Sequence, residues 1–294
     1  MPSRILILLP VAGLAVALVG VPASQGADPF VAGQLSSRPI AIDASASDRA
    51  LGRAHDLGRA IGLGGVRETV TRLDDHFDHR VYDEIASFDA RGRQIGLTRL
   101  DTDGRLLLAL QLGWSPGTGR PISAATATDK AATIARAAGL TIDGKPEIQR
   151  SSGAGGWIVR WPRLVDGVVV RGDGARVTVW ADGSFHAVAR NERSLAARPA
   201  TTLSADAARS AVERIVETRF KASAANLAVA AVDQAWVAPN DTWDPARPDA
   251  PDAVLRLAWV VRLQSSGSLA DRMRMLEFWL DAGNGALIGG DIVE

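Results

Sequence analysis

Apolar side chains return at intervals of three and four residues in three separate stretches of the chain. Ala50, Ala54, Leu57 and Ile61 form the first set, Ala131, Ile134, Ala135 and Ala138 the second, and Ala208, Ala211, Val212, Ile215 and Val216 the third. At 3.6 residues per turn each set lines one side of a helix, so the pattern predicts amphipathic helices over 47–62, 128–139 and 204–219. Each stretch opens on a small polar residue with an acid close behind: Ser47-Asp48, Thr128-Asp129, and Ser204 before Asp206. That is the chemistry of an N-cap and a first helical turn. Gly62-Leu63 and Gly139-Leu140 stop the first two helices, since glycine takes up the left-handed conformation that ends a helix.

After each helix the period changes to two, which predicts strands. TRLDTDGRLLLAL turns at Asp103-Gly104, VTVWADGSFHAVA at Asp182-Gly183, and LEFWLDAGNGALIGG through Gly283-Asn284-Gly285. Asp-Gly and Asn-Gly between alternating apolar residues are strong hairpin signals. Helix start to turn glycine runs from 47 to 104 and from 128 to 183, nearly the same length. In the third stretch it runs from 204 to 285, lengthened where Pro239, Pro245, Pro248 and Pro251 mark an insertion over about 238–253. These spacings predict an α+β fold of three repeated units, 46–115, 120–195 and 200–294, each one helix packed on an antiparallel sheet of three to four strands. Within the second unit, Trp157 to Trp161, Val168 to Arg171 and Ala175 to Trp180 are expected as strands, with Arg171-Gly172-Asp173-Gly174 as a turn between the last two.

Composition narrows the setting. The 294 residues carry 33 basic and 33 acidic side chains, so no net field favours nucleic acid. Met1 to Arg4 is a basic start, Ile5 to Val21 an apolar run, and Val-Pro-Ala-Ser-Gln-Gly a small-residue cleavage region. Together they predict a signal peptide over 1–26, a linker over 27–45 and a secreted or extracytoplasmic protein. The apolar run, about 17 residues, is also long enough to stay as an anchor if uncleaved; after cleavage no integral membrane segment is expected. The absence of cysteine excludes disulfides and thiol catalysis.

One family resemblance follows from Val165-Asp166-Gly167-Val168-Val169-Val170, from Val177-Thr178-Val179-Trp180-Ala181-Asp182-Gly183, and from the C-terminal LEFWLDAGNGALIGGDI. A strand, an Asp-Gly turn, alternating residues and an Asp-Gly hairpin resemble the PepSY domain and the related propeptide module of thermolysin- and fungalysin-type metalloproteases. The resemblance covers about Ser123 to Glu294 and reaches the first unit only through the repeat. It implies a cystatin-like helix on an antiparallel sheet, and a role in binding or restraining a partner, with no catalytic residues to carry over. No His-Glu-x-x-His occurs, so a protease half is not expected and a free-standing propeptide-like protein is.

Candidate chemistry is sparse. Asp74, Asp75, His76, Asp78 and His79 crowd into LDDHFDHRVYDE, and imidazoles with carboxylates suit zinc or manganese. The same residues also serve as the polar turn between strands VRETVTRL and RVYDEIASF, where neighbouring side chains face opposite sides. His186 with Ser184 lacks the G-x-S-x-G elbow of a hydrolase, and His55 lies on the polar side of the first helix. The tryptophans mostly fall on expected strands; Trp243, in the proline-rich loop, is an expected exposed contact. Arg171 and Asp173 belong to an Arg-Gly-Asp tripeptide, an adhesive signal elsewhere, and with Trp243 they are the partner-binding candidates. The sequence therefore points to a non-enzymatic module with no cofactor, which binds another secreted or envelope protein through a sheet edge or groove. A peptidase that it inhibits or helps to fold is one such partner. A metal-dependent enzyme or metal-binding protein built on Asp74 to His79 is the alternative.

Overall fold

The computed structural model describes residues 37–75, 80–112, 119–151, 156–219, 225–243, 254–267, 270 and 273–293. The expected targeting segment, 1–26, and the turn residues 76–79 lie outside the described residues. In chain order the elements are β1 (Ser37–Ile40), α1 (Ala44–Ile61), β2 (Arg67–Asp75), β3 (Arg80–Phe88), β4 (Gln94–Asp101), β5 (Leu106–Gln111), α2 (Ala124–Ala137), β6 (Glu147–Arg150) and β7 (Trp157–Val165). Then come β8 (Val168–Val179), β9 (Phe185–Asn191), β10 (Ser194–Leu195), α3 (Ala205–Arg219), β11 (Leu227–Val237), β12 (Val254–Ser265), β13 (Met275–Asp281) and β14 (Leu287–Val293). The fold is α+β, three helices on a large, mainly antiparallel sheet. No helix among the described residues is long and apolar enough to cross a membrane.

All three expected helices form, but two begin a turn early. The Asp43 carboxylate accepts the Ala46 N–H at 2.8 Å, and the Ser123 hydroxyl accepts the Thr126 N–H at 3.2 Å. Ser47 and Thr128 therefore sit inside helices rather than capping them. Ser204 is the cap its position suggests, accepting the Ala207 N–H at 3.1 Å. Gly62 and Gly139 are left-handed stops, and Leu140 N–H returns to Ala135 O at 2.9 Å, as a Schellman ending requires. The Asp-Gly hairpins are present too: Gly104 and Gly183 hold φ of 75° and 82°. Part of the stretch read as a linker is ordered into β1, which pairs antiparallel with β2.

Two features depart from three separate units. β5 pairs antiparallel with β9 from Leu108↔Ala189 to Leu110↔Ala187, so the strands after α1 and those after α2 make one surface. Successive cross-strand partners Val70, Ile85, Thr98, Ala109, Val188, Val177 and Val159 form a single row across it. α1 and α2 lie side by side over that row, and Ala54, Leu57, Ala131, Ala135, Ile85 and Val177 belong to one continuous core. The expectation of one helix per sheet thus fails for the first two helices, because an edge left by β5 is satisfied by β9. The second departure is parallel pairing at two short places: β8 with β11 at Ala235↔Val169 and Trp236↔Val170, and β10 with β12 at Ser194↔Val254 and Leu195↔Leu255. Through them the first region meets the last four strands, whose own core sets Ala208, Val212 and Val216 of α3 against Val261, Leu276, Phe278 and Leu280.

Candidate functional site

The Arg-Gly-Asp tripeptide is not a turn between strands. β8 runs straight through it, and the register with β7 jumps from Pro162↔Gly174 to Arg163↔Val170. Arg171, Gly172 and Asp173 are the extra residues of a bulge. The positive φ of Gly172 (77°) and Gly174 (123°) is what the bulge needs, and it reads in the sequence as a turn would. A Cβ at Gly174 would run into the backbone of Trp161 and Arg163, so the chains meet there at backbone distance.

Both charged members of the tripeptide are engaged inside the molecule. The Asp173 side chain is fully buried and accepts the Arg193 backbone N–H at 2.7 Å, Arg193 Nε at 2.8 Å and Arg163 Nη1 at 3.3 Å. Arg171 reaches the other way and holds Glu277 of β13 with both terminal guanidinium nitrogens, Nη2 at 3.0 Å. Arg262 Nε joins Glu277 at 3.0 Å, and Arg262 Nη1 in turn reaches Asp233 at 3.0 Å. Burial opposes the Glu277 charge, but the hydrogen bonds and charge of Arg171, with those of Arg262 and Trp279, hold its carboxyl below the ordinary value. Asp291, opposite Glu277 on β14, is pushed up by burial, with the Glu277 charge adding to the shift. The tripeptide is therefore a joint: Asp173 anchors the β8 bulge, and Arg171 ties it to the last four strands across an apolar seam of Val170, Trp236, Leu255 and Leu257.

Trp243 stacks on Phe278 with ring centroids 4.5 Å apart, and its Nε1 donates to Glu277 O at 2.8 Å. Instead of standing out from the loop, it closes one end of the α3 core. The same segment covers the outer edge of β14: Asn240 Nδ2 donates to Gly290 O at 2.8 Å, Asn240 Oδ1 accepts from Gly290 N–H at 2.9 Å, and Thr242 Oγ1 donates to Gly290 O at 3.0 Å. Asn240 is thereby committed to the sheet.

Of the Asp-His group, His76, Asp78 and His79 lie outside the described residues. Asp74 accepts Arg38 Nη2 at 3.0 Å, while the adjacent Asp75 is buried. No group of three or more metal-ligating side chains comes together among the described residues. Ser184 Oγ donates to Asp182 Oδ1 at 2.6 Å within its hairpin, and His186 instead lies against Trp180, ring centroids 4.0 Å apart. Burial takes the His186 imidazole down to about 4 and its Nδ1 has no hydrogen-bond partner among the described residues, so the three do not form a catalytic relay there.

The sequence reading did not single out one surface that has open bonding capacity among the described residues. β11 pairs with β12 along its whole length, but with β8 only at Ala235 and Trp236. Among the described residues the other side of Leu227–Gln234 has no strand partner. Other sheet edges are more heavily protected, by Arg38 and Pro39 in β1, Glu147 and Arg150 in β6, and the Asn240 segment over β14, whereas Leu227–Gln234 carries one charge, Asp233, paired with Arg262. Leu227 to Val232 has no charge and no proline, and a bulge between Val229 and Ala231 is its only irregularity. Beside this edge lies a cleft of about 510 Å³, floored by Val216, Leu227, Val229 and Leu263 and rimmed by Arg209, Glu213 and Glu217 of α3. That volume is within the range of ligand pockets, roughly 300–1,000 Å³. The rim was visible in the sequence as charges at four-residue intervals, but such a stripe also describes any solvated helix face.

No protein-family model matches the chain, and no curated protein matches it. Among solved structures the chain is similar to the Bacillus megaterium YpeB C-terminal domain, with 13% identity, a TM-score of 0.47, and an alignment covering 87% of this chain and 99% of that one.

Proposed function

We propose that this protein is an exported, non-enzymatic binding module assembled from PepSY-like helix-and-sheet units, and that it captures an extended segment of another secreted or envelope protein. The observation that carries the reading is the bare edge of Leu227–Gln234 beside the α3 cleft. An extended chain laid there gains main-chain hydrogen bonds along the edge, while every second side chain turns into the cleft. Affinity then comes from the backbone and selectivity from the pocket. Restraining a peptidase by occupying one of its loops or its propeptide is one use of such a grip, in line with the PepSY-like stretches Val165–Val170 and Val177–Gly183.

The test is to capture partners from culture medium on the immobilised protein and map the footprint of the captured protein by amide hydrogen exchange. Slowed exchange over Leu227–Gln234, with no loss or transfer of groups in the bound partner, is the expected result. A footprint confined to other strands, or turnover of the partner by the purified protein, overturns the reading.

A further inference from the structure

We infer that the cleft is built for an extended peptide segment that is both aliphatic and basic, with lysine or arginine side chains at alternate positions set against Glu213 and Glu217. The inference rests on the strand-addition reading above and names the chemistry of the segment added. Glu213 and Glu217 are exposed on the helix, one turn apart on the rim of the cleft, and neither makes an ion pair or hydrogen bond among the described residues. That separates them from the acids of the sheets, where Asp83, Glu84, Asp173 and Glu277 are each matched to an arginine. Arg209 lies one turn before Glu213 on the same rim, so the two acids leave it with a net negative charge, and a cation between them relieves their mutual repulsion.

The spacings agree. Four residues of helix rise about 6 Å, and two residues of an extended strand advance about 6.8 Å. Successive cleft-facing side chains of an added strand are therefore spaced nearly as the successive acids of the rim are. Between the rim and the sheet, Val216, Leu227, Val229 and Leu263 offer only apolar surface. An aliphatic side chain, or the methylene stem of a lysine, covers it, leaving the ammonium at the rim. A second copy of this chain pairing through the same edge fits poorly, because Leu227–Gln234 contains no basic residue.

The probe is a library of random decapeptides displayed on phage and selected on the whole protein, followed by fluorescence anisotropy with the peptides recovered. Enrichment of lysine or arginine at alternate positions is expected, together with slowed exchange of Leu227–Gln234 on binding. The Glu213→Lys/Glu217→Lys double variant, whose changes are on exposed helix positions and whose melting temperature is checked first, should weaken those peptides at least tenfold. It should also strengthen their Lys→Glu counterparts. Unchanged affinity in the double variant with Leu227–Gln234 still protected overturns the charge selection while strand addition stands. Binding without that protection, or no peptide recovered at all, overturns both. Protection that grows with protein concentration in the absence of peptide identifies a second copy as the occupant and overturns the inference.

Discussion

α2 and α3 each lie on antiparallel strands, yet they sit differently. Ala127, Ala131 and Ala135 of α2 are fully buried, and this run of small side chains lets the helix settle close onto Val159, Val177 and Val188 with α1 alongside. α3 stands on Ala208, Val212 and Val216, has no neighbouring helix in its core among the described residues, and leaves a cleft where Val216 meets Leu227 and Leu263. Two helices cover the strands of the first region, whereas one helix cannot cover the last four, and the uncovered margin includes the stretch Leu227–Gln234 of β11. Closure of one region and openness of the other thus follow from helix count and side-chain size. Neither needs a special sequence at the opening itself.

The largest test of this contrast is Phe278→Ala. Phe278 is fully buried under α3, and emptying that space should cost about 3–5 kcal/mol. If the two regions hold separate cores, amides of β12 to β14 lose exchange protection while those of β3 and β8 keep theirs. Equal loss throughout would merge them into one cooperative unit. The joint between them is probed by Asp173→Ala, which strips Arg163 and Arg193 of a buried acceptor and should cost about 1.5–3 kcal/mol by chemical denaturation. A silent change there would mean that the β8 bulge is held by its glycines alone. The seat of α2 is tested by Ala131→Leu, where overpacking should cost about 1–3 kcal/mol. Ala225→Leu, on the exposed wall of the cleft, should stay within about 0.5 kcal/mol. Similar values for the two would erase the difference between a closed and an open helix seat.

A further difference is a dependence on pH that His186 contributes to the first region. Burial holds the His186 imidazole at about 4 in the folded protein, against 6.5 for the free group. Above pH 6.5 both states are neutral and the stability is complete. Between 6.5 and about 4 the unfolded chain takes the proton and the folded chain does not, so stability falls with falling pH, by on the order of 1–2 kcal/mol for this partly accessible ring, and levels off below. In His186→Phe that portion of the slope should vanish from melting curves collected across the range.

What could be read directly from the sequence was local. Helix faces, the Gly62 and Gly139 stops and the Asp-Gly hairpins depend on residues within a turn of one another, and they are where the pattern puts them. The early starts of α1 and α2 were hidden because Ser47-Asp48 and Thr128-Asp129 imitate caps from inside a helix, while the true caps precede the alanine-rich ASAS and AATAT, where the apolar period is faint. The bulge in β8 was misread for a physical reason. Paired glycines with positive φ serve a reversal and a bulge equally, and only the register against β7 distinguishes them. LAVAAVDQ is plainly a strand in the sequence, but the bare side that makes it a candidate site depends on how far β8 reaches, some sixty residues earlier in the chain.

The β5–β9 pairing also sets an order in time. Most neighbours in the sheet are joined by short connections and can close as hairpins, but Leu108 waits for Ala189 and Val169 for Ala235. Closing long loops is slow compared with closing hairpins. A chain folding as it emerges therefore shows the bare flank of β5, with Leu108 and Leu110 on it, until the whole segment from α2 to β9 has followed. The interval between those two events is when this protein is most exposed to misassembly, and it is set by the length of chain between the strands rather than by the strength of any contact they finally make.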